Sequence, residues 1–257
     1  MKIYCARMKL ADDPSLMQNT VLFLPPVLTD MLIEYLKNIP LFKHLKDTQL
    51  KEIAERCKSV TYKKGAVIFH KTDLSTDLYI VNSGRVKAVL VDDEGDEIVL
   101  AQFERGAFFG ELSLLDNKGR SATIVADKDS ELAILKKDVF FDLLYRNPKI
   151  AVELMATLVE RLRKADELIE SLAFLEVGER LVRTLLDAAT AEGASGKGFL
   201  RVGKLTHKEL AARIGSSREA VTKCMKVFSE KGIIKEAEGH ILIAHNALDR
   251  LKKEERP

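Results

Sequence analysis

The sequence predicts an α+β fold in which a β-rich unit, a long helix and a second, mainly helical unit follow one another. Three observations predict it: short β-branched and aromatic runs separated by glycines between about 60 and 135, an uninterrupted helical pattern after Pro148, and a helix–turn–helix pattern near the end. With 257 residues, 46% hydrophobic and 31% charged, the chain is long enough for two compact units with cores and a solvated surface. General disorder and a single small module are therefore excluded.

The chain is expected to divide into four segments where its pattern changes. Residues 1–30 lack a sustained period and carry Pro14 and the Pro25-Pro26 pair, which indicates an irregular extension. Residues 31–147 begin with a helical stretch from Asp47 to Cys57 and continue with the strand-like runs, whose spacing is typical of a sandwich or barrel. Residues 148–175 form the long helix, and residues 176–257 form the last unit.

The composition also limits where the protein works. No apolar run approaches the roughly 18–20 residues that cross a bilayer, so we expect neither membrane insertion nor secretion. Cys5, Cys57 and Cys224 are odd in number and far apart, which argues against a disulfide framework. These features favour the reducing cytoplasm.

The long helix carries a narrow apolar stripe. Its members step by three and four residues, which is the spacing of a coiled-coil seam: Met155, Leu158, Leu162, Ala165, Ile169 and Leu172. The stripe favours pairing with a second copy of the helix. The alternative is that it packs on the β-rich unit of its own chain.

The last unit reads as helix, turn, helix and wing. Thr206 and Glu209 form a capping-box pattern, and Gly215 marks the turn before a second helix. One face of that helix is apolar (Val221, Cys224, Met225, Phe228), while its other face is polar. Two short apolar runs, FLRV and HILIAH, are candidate wing strands. Between 204 and 235 eight basic residues meet three acidic ones, a local excess of +5 that indicates a polyanion partner or a solvated helix face.

A second motif lies in the β-rich unit. Phe109-Gly110-Glu111-Leu112-Ser113 is followed by Arg120-Ser121-Ala122-Thr123. A glycine that opens a short helix lets backbone N–H groups approach an anion, and a buried arginine supplies a charge-assisted donor. Because a buried, unpaired arginine is costly, we expect the empty pocket to stay wet or to rearrange.

These residues resemble the phosphate-binding cassette of cyclic-nucleotide-binding domains, and Ser217-Arg218-Glu219 with Lys223 resembles a recognition helix of the Crp–Fnr transcription regulators. With both motifs in this order, the chain is identified as a member of that family from about Leu36 to Leu248. The resemblance implies an N-terminal double-stranded β-helix (jelly-roll) cyclic-nucleotide-binding domain, a long dimerisation helix and a C-terminal winged helix-turn-helix domain. It implies no catalysis and no metal.

The resemblance also implies the residues that hold a ligand: Gly110, Glu111, Leu112, Arg120, Ser121, Arg161, Ala165 and Asp166. Cyclic AMP is the expected effector. Ala165 and Asp166 stand where the family's cyclic AMP pattern has a threonine and a serine, so cyclic GMP or a cyclic dinucleotide are the alternatives. Arg161 either supports the pocket electrostatically or forms a surface ion pair.

For the second motif, the resemblance implies a palindromic site in double-stranded DNA, a homodimer and RNA polymerase as partners. The implied DNA-contacting residues are Ser217, Arg218, Glu219, Thr222, Lys223 and Lys226. Lys223 replaces an arginine of the family pattern, and a lysine lacks the planar fork that reads a guanine edge. Glu219 has an alternative role, since Ser216 and Glu219 also match a capping box.

Other functions remain open at this level. A haem or redox sensor on the same scaffold would use His44 or His70, although no histidine pair has metal-ligand spacing and the four-cysteine cluster of oxygen-sensing relatives is absent. A ligand-independent DNA-binding regulator would keep the helix–turn–helix and ignore nucleotides. A regulatory subunit that binds a nucleotide to control an enzyme would leave the second motif unexplained.

Overall fold

The β-rich unit is a jelly roll. The computed structural model describes residues 33–192, 194–195, 198–237 and 240–254; the predicted extension at 1–30 lies outside them. Eight strands form two four-stranded antiparallel sheets, ordered β1-β8-β3-β6 and β2-β7-β4-β5. The strands are β1 Lys58–Tyr62, β2 Val67–Phe69, β3 Leu78–Ser83, β4 Arg85–Val91, β5 Glu97–Glu104, β6 Phe108–Phe109, β7 Thr123–Ala126 and β8 Ser130–Leu135. The first strand pairs with the eighth, the second with the seventh, the third with the sixth and the fourth with the fifth, which is the pairing of a double-stranded β-helix.

Two cores lie on either side of the first sheet. The inner core fills the space between the two sheets and contains four aromatic rings: Phe69, Tyr79, Phe103 and Phe109. The outer core packs helices on the opposite face of the sheet. These helices are a turn at 33–37, a 3-10 turn Pro40–Phe42, α1 Asp47–Arg56, α2 Glu111–Asp116 and α3 Lys137–Arg146. Helix α3, whose fully buried Phe140 and Leu143 are part of this core, was not predicted.

The long helix α4 runs from Pro148 to Phe174, with proline in its first turn as predicted. Its apolar stripe divides between two faces. Leu158 packs against the outer core, and the Leu172 side chain lies beside Gly215 of the last unit. The exposed side instead carries Val152 and Val159 together with the predicted Met155, Leu162 and Ile169. Five of the six predicted stripe residues are therefore exposed, and only Leu158 is partly buried within the chain.

The last unit is a winged helix-turn-helix. Its elements are α5 Val177–Glu192, β9 Ala194–Ser195, β10 Phe199–Val202, α6 His207–Ile214, α7 Arg218–Glu230, β11 Ile234–Ala237, β12 His240–Ala244 and α8 Ala247–Glu254. The predicted wing pairing is confirmed: Phe199 to Val202 run antiparallel to His240 to Ala244, and β11 adds a further strand. The cap of α6 is also confirmed, because the Thr206 hydroxyl accepts from the Glu209 amide and the Glu209 carboxylate accepts from the Thr206 amide.

The last unit contacts the jelly roll through α6 and β5. Gly215, which ends α6, is so close to the long helix that an added Cβ would lie 2.8 Å from Leu172 Cδ2 and 3.7 Å from Ile98 Cδ1. Arg180 crosses the same junction: its guanidinium donates to Leu175 O at 2.9 Å and to Gly215 O at 3.5 Å. The end of α6, the long helix α4 and strand β5 therefore meet at Gly215. Within the described ranges, no helix has the length and apolar character needed to span a membrane.

Candidate ligand cavity and nucleic-acid interface

The turn between β6 and α2 requires glycine at position 110. Gly110 has a φ of +86°, a conformation that side-chain-bearing residues rarely adopt. A Cβ at this position would lie 2.5 Å from Arg120 Nη1 and 2.9 Å from Asp77 O. The close approach of the backbone lets the Gly110 carbonyl accept a hydrogen bond from Arg120 at 2.9 Å. The glycine therefore serves both the turn and the arginine.

Arg120 is buried, with only 2% of its surface exposed, and it is fully held by the chain. Its Nε donates to Ser75 Oγ, its Nη1 to Gly110 O and Ser113 Oγ, and its Nη2 to Asp77 O, all within 2.9–3.0 Å. The guanidinium also lies 4.2 Å from the centre of the Phe69 ring. Hydroxyl and backbone oxygens of the chain itself therefore bind the buried arginine. Four of the five N–H bonds of the guanidinium donate to oxygen atoms of these residues.

The guanidinium of Arg120 carries its positive charge in a poorly solvated part of the jelly roll. Burial lowers the pKa of the guanidinium, while Tyr79 and the carboxylates of Asp77 and Glu111 act in the opposite direction. An arginine keeps its proton in proteins even when its pKa is lowered. The site therefore presents a fixed cation, which an anionic group stabilises more strongly than water does.

Glu111 and Arg161 form an ion pair at the same place. Arg161 Nη1 donates to Glu111 Oε1 at 2.7 Å, and Arg161 Nη2 donates to Phe108 O. The Arg161 guanidinium also lies 5.0 Å from the Phe103 ring centre. The second carboxylate oxygen, Glu111 Oε2, is buried and accepts no hydrogen bond from the residues that the structure describes. A buried acceptor without a partner is costly, so this oxygen is suited to a donor from a bound molecule.

These groups line one cavity of about 140 Å³. Six of the predicted ligand residues lie in its wall: Gly110, Glu111, Leu112, Arg120, Ser121 and Arg161. The other two, Ala165 and Asp166, are exposed on α4 and do not line it. The remaining wall is apolar and consists of Phe69, Ala88, Leu100, Phe103, Phe109, Ala122 and Ile124, with the polar Ser113 among them. A larger recess of about 350 Å³ between residues 33–37 and α1 has no comparable buried polar groups.

The predicted DNA-contacting residues lie on or beside the exposed face of α7. Arg218, Glu219, Thr222, Lys223 and Lys226 are exposed, and Ser217 caps the helix by accepting from the Ala220 amide at 3.2 Å. The opposite face is buried as predicted, with Val221, Met225 and Phe228 in the core and Cys224 partly buried. Three cations on one helix face, clear of the core, are suited to phosphates and base edges.

The position of the helix cap decides between the two predicted roles of Glu219, base contact and capping box. The capping residue is Ser217 rather than Ser216, so Glu219 is the second residue of the helix and not the third. No hydrogen bond or ion pair of its carboxylate is found within the described ranges. The capping-box alternative for Glu219 is therefore wrong, and its carboxylate is available to a ligand.

Several functional contacts were missed by sequence reasoning. Ser75 and Asp77, which hold Arg120, lie more than 40 residues before it, and no local pattern links them to the motif. Arg180 at the junction likewise matches no motif. His207 is the third case: its Nδ1 lies 2.9 Å from the Thr222 hydroxyl, which itself donates to Arg218 O. Thr222 is consequently oriented by two neighbours.

The two histidines of the sensor region, His44 and His70, do not belong to the ligand cavity. His44 is exposed and bonds to Glu153 at 3.1 Å, and His70 is exposed on the loop after β2. Neither lines the cavity. Among the residues that the structure describes, no group of histidine, cysteine and carboxylate side chains has the arrangement of a metal site. Burial raises the pKa of the Cys57 thiol to about 12, as for an inert core thiol.

Comparison with known proteins matches both units to described families. The cyclic nucleotide-binding domain matches residues 59–147, and the Crp-like helix-turn-helix domain matches residues 179–253. Among solved structures, that of the c-di-GMP responsive global regulator CLP of Xanthomonas campestris has a TM-score of 0.69 at 25% identity and covers 77% of this chain and 99% of its own.

Curated relatives span almost the same length. The cyclic AMP receptor protein of Thermus thermophilus is 34% identical over 213 residues, which are 83% of this chain and 96% of that protein. The cAMP-activated global transcriptional regulator CRP of Escherichia coli O6:H1 is 30% identical over 200 residues, 77% of this chain and 95% of its own. The cavity, the winged helix and these matches together show that the chain belongs to the Crp–Fnr family and is a DNA-binding transcription regulator rather than an enzyme.

Proposed function

We propose that this protein is a cyclic-nucleotide-responsive transcription regulator that works in the cytoplasm as a homodimer on palindromic double-stranded DNA. The observation that carries the proposal is the position of two groups in one cavity: the buried guanidinium of Arg120, and Glu111 Oε2, which accepts from no residue that the structure describes. One is a donor for an anion and the other an acceptor for a hydroxyl. A ribose joined to a cyclic phosphate offers both partners at a short, fixed distance.

The size of the cavity indicates which part of such a ligand lies inside it. Its volume of about 140 Å³ is below the 300 Å³ or more of a typical small-molecule pocket, so it holds the sugar and phosphate and leaves the base outside. The base then extends past Leu112, which is 45% exposed, toward α4. Ala165 and Asp166 are exposed there and reach the base only when a second chain completes the site. Cyclic AMP is the first candidate, and cyclic GMP or a cyclic dinucleotide are the alternatives.

The DNA contacts follow from the exposed face of α7. In a dimer, the two copies of α7 enter successive major grooves about 34 Å apart. Arg218 donates to a guanine edge and Glu219 accepts from a cytosine amino group, while Lys223 and Lys226 contact phosphates. RNA polymerase is the further partner of a regulator of this type. The segments 1–30, 31–147, 148–175 and 176–257 then act as extension, sensor, dimerisation helix and DNA-binding domain.

Nucleotide titrations test the sensor assignment. Calorimetry with cyclic AMP, cyclic GMP and cyclic di-GMP is combined with fluorescence anisotropy of a labelled palindromic duplex. We expect one nucleotide to bind and to change the affinity for DNA, by a coupling of about 1–3 kcal/mol. Glu111→Gln, which removes the charge facing Arg161, should weaken binding at least tenfold. Glu104→Gln, an exposed carboxylate outside the cavity, is the matched control. If none of the three nucleotides binds, the sensor assignment is wrong.

A second candidate function is a constitutive DNA-binding regulator. The observation that favours it is the set of four hydrogen bonds by which the chain's own oxygens hold Arg120. The same titration separates the two functions. Sequence-specific DNA binding that is unchanged by every nucleotide supports the constitutive regulator.

A further inference from the structure

A hydrogen bond joins the two helices of the helix-turn-helix at the exposed face of α7. His207, the first residue of α6, has its Nδ1 atom 2.9 Å from the hydroxyl oxygen of Thr222 on α7. The same hydroxyl oxygen lies 2.9 Å from the carbonyl oxygen of Arg218, one turn earlier on α7. Thr222 is exposed, and Glu219 and Lys223 are exposed beside it. A hydroxyl group on the face proposed to meet DNA is therefore bound to the protein on two sides.

The proton of the Thr222 hydroxyl is assigned by these two contacts. A hydroxyl group has one proton and two acceptor lone pairs. The Arg218 carbonyl oxygen can only accept, so the Thr222 proton lies on that side, and His207 donates to the hydroxyl oxygen through Nδ1–H. Thr222 then has no proton left for a base, and one of its lone pairs is occupied. Its methyl group and one lone pair remain for a ligand.

A methyl group in the major groove is suited to one base. Thymine alone among the four bases presents a methyl group there, and threonine methyl groups are among its apolar contacts. A threonine hydroxyl with a free proton would donate to acceptors that guanine, adenine and thymine all present in that groove. The two contacts of the Thr222 hydroxyl therefore favour recognition of thymine over recognition of the shared acceptors.

We propose that Thr222 recognises a thymine through its methyl group, and that His207 is the positioning residue that binds the Thr222 hydroxyl and keeps it from the bases. The inference rests on the DNA contacts proposed for α7 and adds a base to them. A threonine in a helix divides between two side-chain rotamers, because its hydroxyl can bond to a carbonyl three or four residues earlier. The hydrogen bond from α6 selects the rotamer whose hydroxyl faces His207. His207 thus acts through Thr222 and needs no contact with a base.

Replacement of thymine by uracil in the DNA tests the methyl contact, because it removes the methyl group of the base and leaves its hydrogen-bonding groups unchanged. A preferred duplex is first selected from a random pool with the wild-type protein in a mixture of cyclic AMP, cyclic GMP and cyclic di-GMP. Each thymine of one half-site is then replaced in turn, and fluorescence anisotropy gives the thymine/uracil ratio, the factor by which uracil weakens binding. We expect one position with a ratio of about fourfold, the value of one buried methyl group.

Variants of the two residues assign this ratio to its atoms. Thr222→Ser keeps the hydroxyl and removes the methyl group, so it should bind the thymine and uracil duplexes equally, whereas Thr222→Val keeps a methyl group and should retain the ratio. His207→Ala should lower the ratio to about twofold, because Thr222 then divides between its two rotamers. His207→Asn, whose amide N–H can replace Nδ1–H, should restore it. Lys208→Gln, at the next and exposed position of α6, is the matched control and should leave the ratio unchanged.

The outcomes separate this inference from the proposed function. The methyl contact is overturned if no thymine of the half-site is sensitive to uracil, if Thr222→Ser keeps the wild-type ratio, or if Thr222→Val loses it. A wild-type ratio in His207→Ala overturns the positioning role of His207. Each of these results leaves sequence-specific DNA binding intact. Failure of the wild-type protein to select any preferred sequence from the pool refutes the recognition proposed for α7 itself.

Discussion

The most informative perturbation of the cavity is the addition of one methyl group at Gly110. Gly110→Ala changes no charge and removes no donor. It places a Cβ on a backbone with a φ of +86°, 2.5 Å from Arg120 Nη1 and 2.9 Å from Asp77 O. Both distances are below any real Cβ contact, so the arginine must move. The variant therefore tests whether the position of Arg120 matters.

The cost has two parts. An alanine in the left-handed region costs about 1–2 kcal/mol relative to glycine. Displacing Nη1 breaks its hydrogen bond to Gly110 O or Ser113 Oγ, and a hydrogen bond to a charged group is worth about 1.5–3 kcal/mol. We expect Gly110→Ala to lower the free energy of unfolding by about 3–5 kcal/mol. Displacement of the guanidinium from the cavity wall should also weaken nucleotide binding by about tenfold to a hundredfold.

Gly95→Ala is the matched control. Gly95 has nearly the same φ, +85°, and no atom lies within 4 Å of an added Cβ, so only the backbone cost applies. Urea unfolding followed by far-ultraviolet circular dichroism gives the stability of both variants, and calorimetry gives their nucleotide affinity. Equal destabilisation by the two substitutions, or wild-type nucleotide affinity in Gly110→Ala, would refute the reasoning.

Three further predictions concern the rest of the chain. Thr206→Ala removes the cap of α6 and should lower the free energy of unfolding by about 1 kcal/mol, measured by the same urea titration; a change below experimental error would contradict it. Glu219→Gln should reduce discrimination at one base pair by about 1–3 kcal/mol in anisotropy competition with mutated duplexes, whereas Glu230→Gln at the other end of α7 should not. Because burial raises the pKa of Cys57 to about 12, iodoacetamide at pH 8 should modify Cys224 and spare Cys57 in the native protein, as peptide mass spectrometry can show; rapid labelling of Cys57 would disagree with the core.

Much of the fold follows from local pattern. The long helix begins at Pro148 as predicted, the wing pairs as predicted, and the cap at Thr206 forms as its spacing indicates. Each of these depends on residues a few positions apart or on a simple alternation of apolar side chains. Helix α3 was not predicted, because its short run of β-branched, aromatic and aliphatic residues also suits a strand like those before it.

The candidate site was also predicted only in part from the sequence. The motif around Gly110 and Arg120 is visible as a string of residues, and six of the eight predicted positions do line one cavity. The partners of Arg120 are not visible, because Ser75 and Asp77 belong to a distant loop that the jelly-roll pairing brings alongside. Residue type showed that a buried arginine needs partners, and the tertiary structure showed that backbone and hydroxyl oxygens from elsewhere in the chain supply them.

The sequence by itself determined the kinds of elements, their order, the two motifs and the family resemblance, since periodicity and spacing are local properties. Only the tertiary structure decided which apolar residues of α4 pack within the chain. Leu158 packs against the outer core, whereas Val152, Val159 and Leu172 remain exposed. The physical reason is that apolar residues occur around more than half of this helix, so spacing admits two seams, and only packing against the rest of the protein distinguishes them.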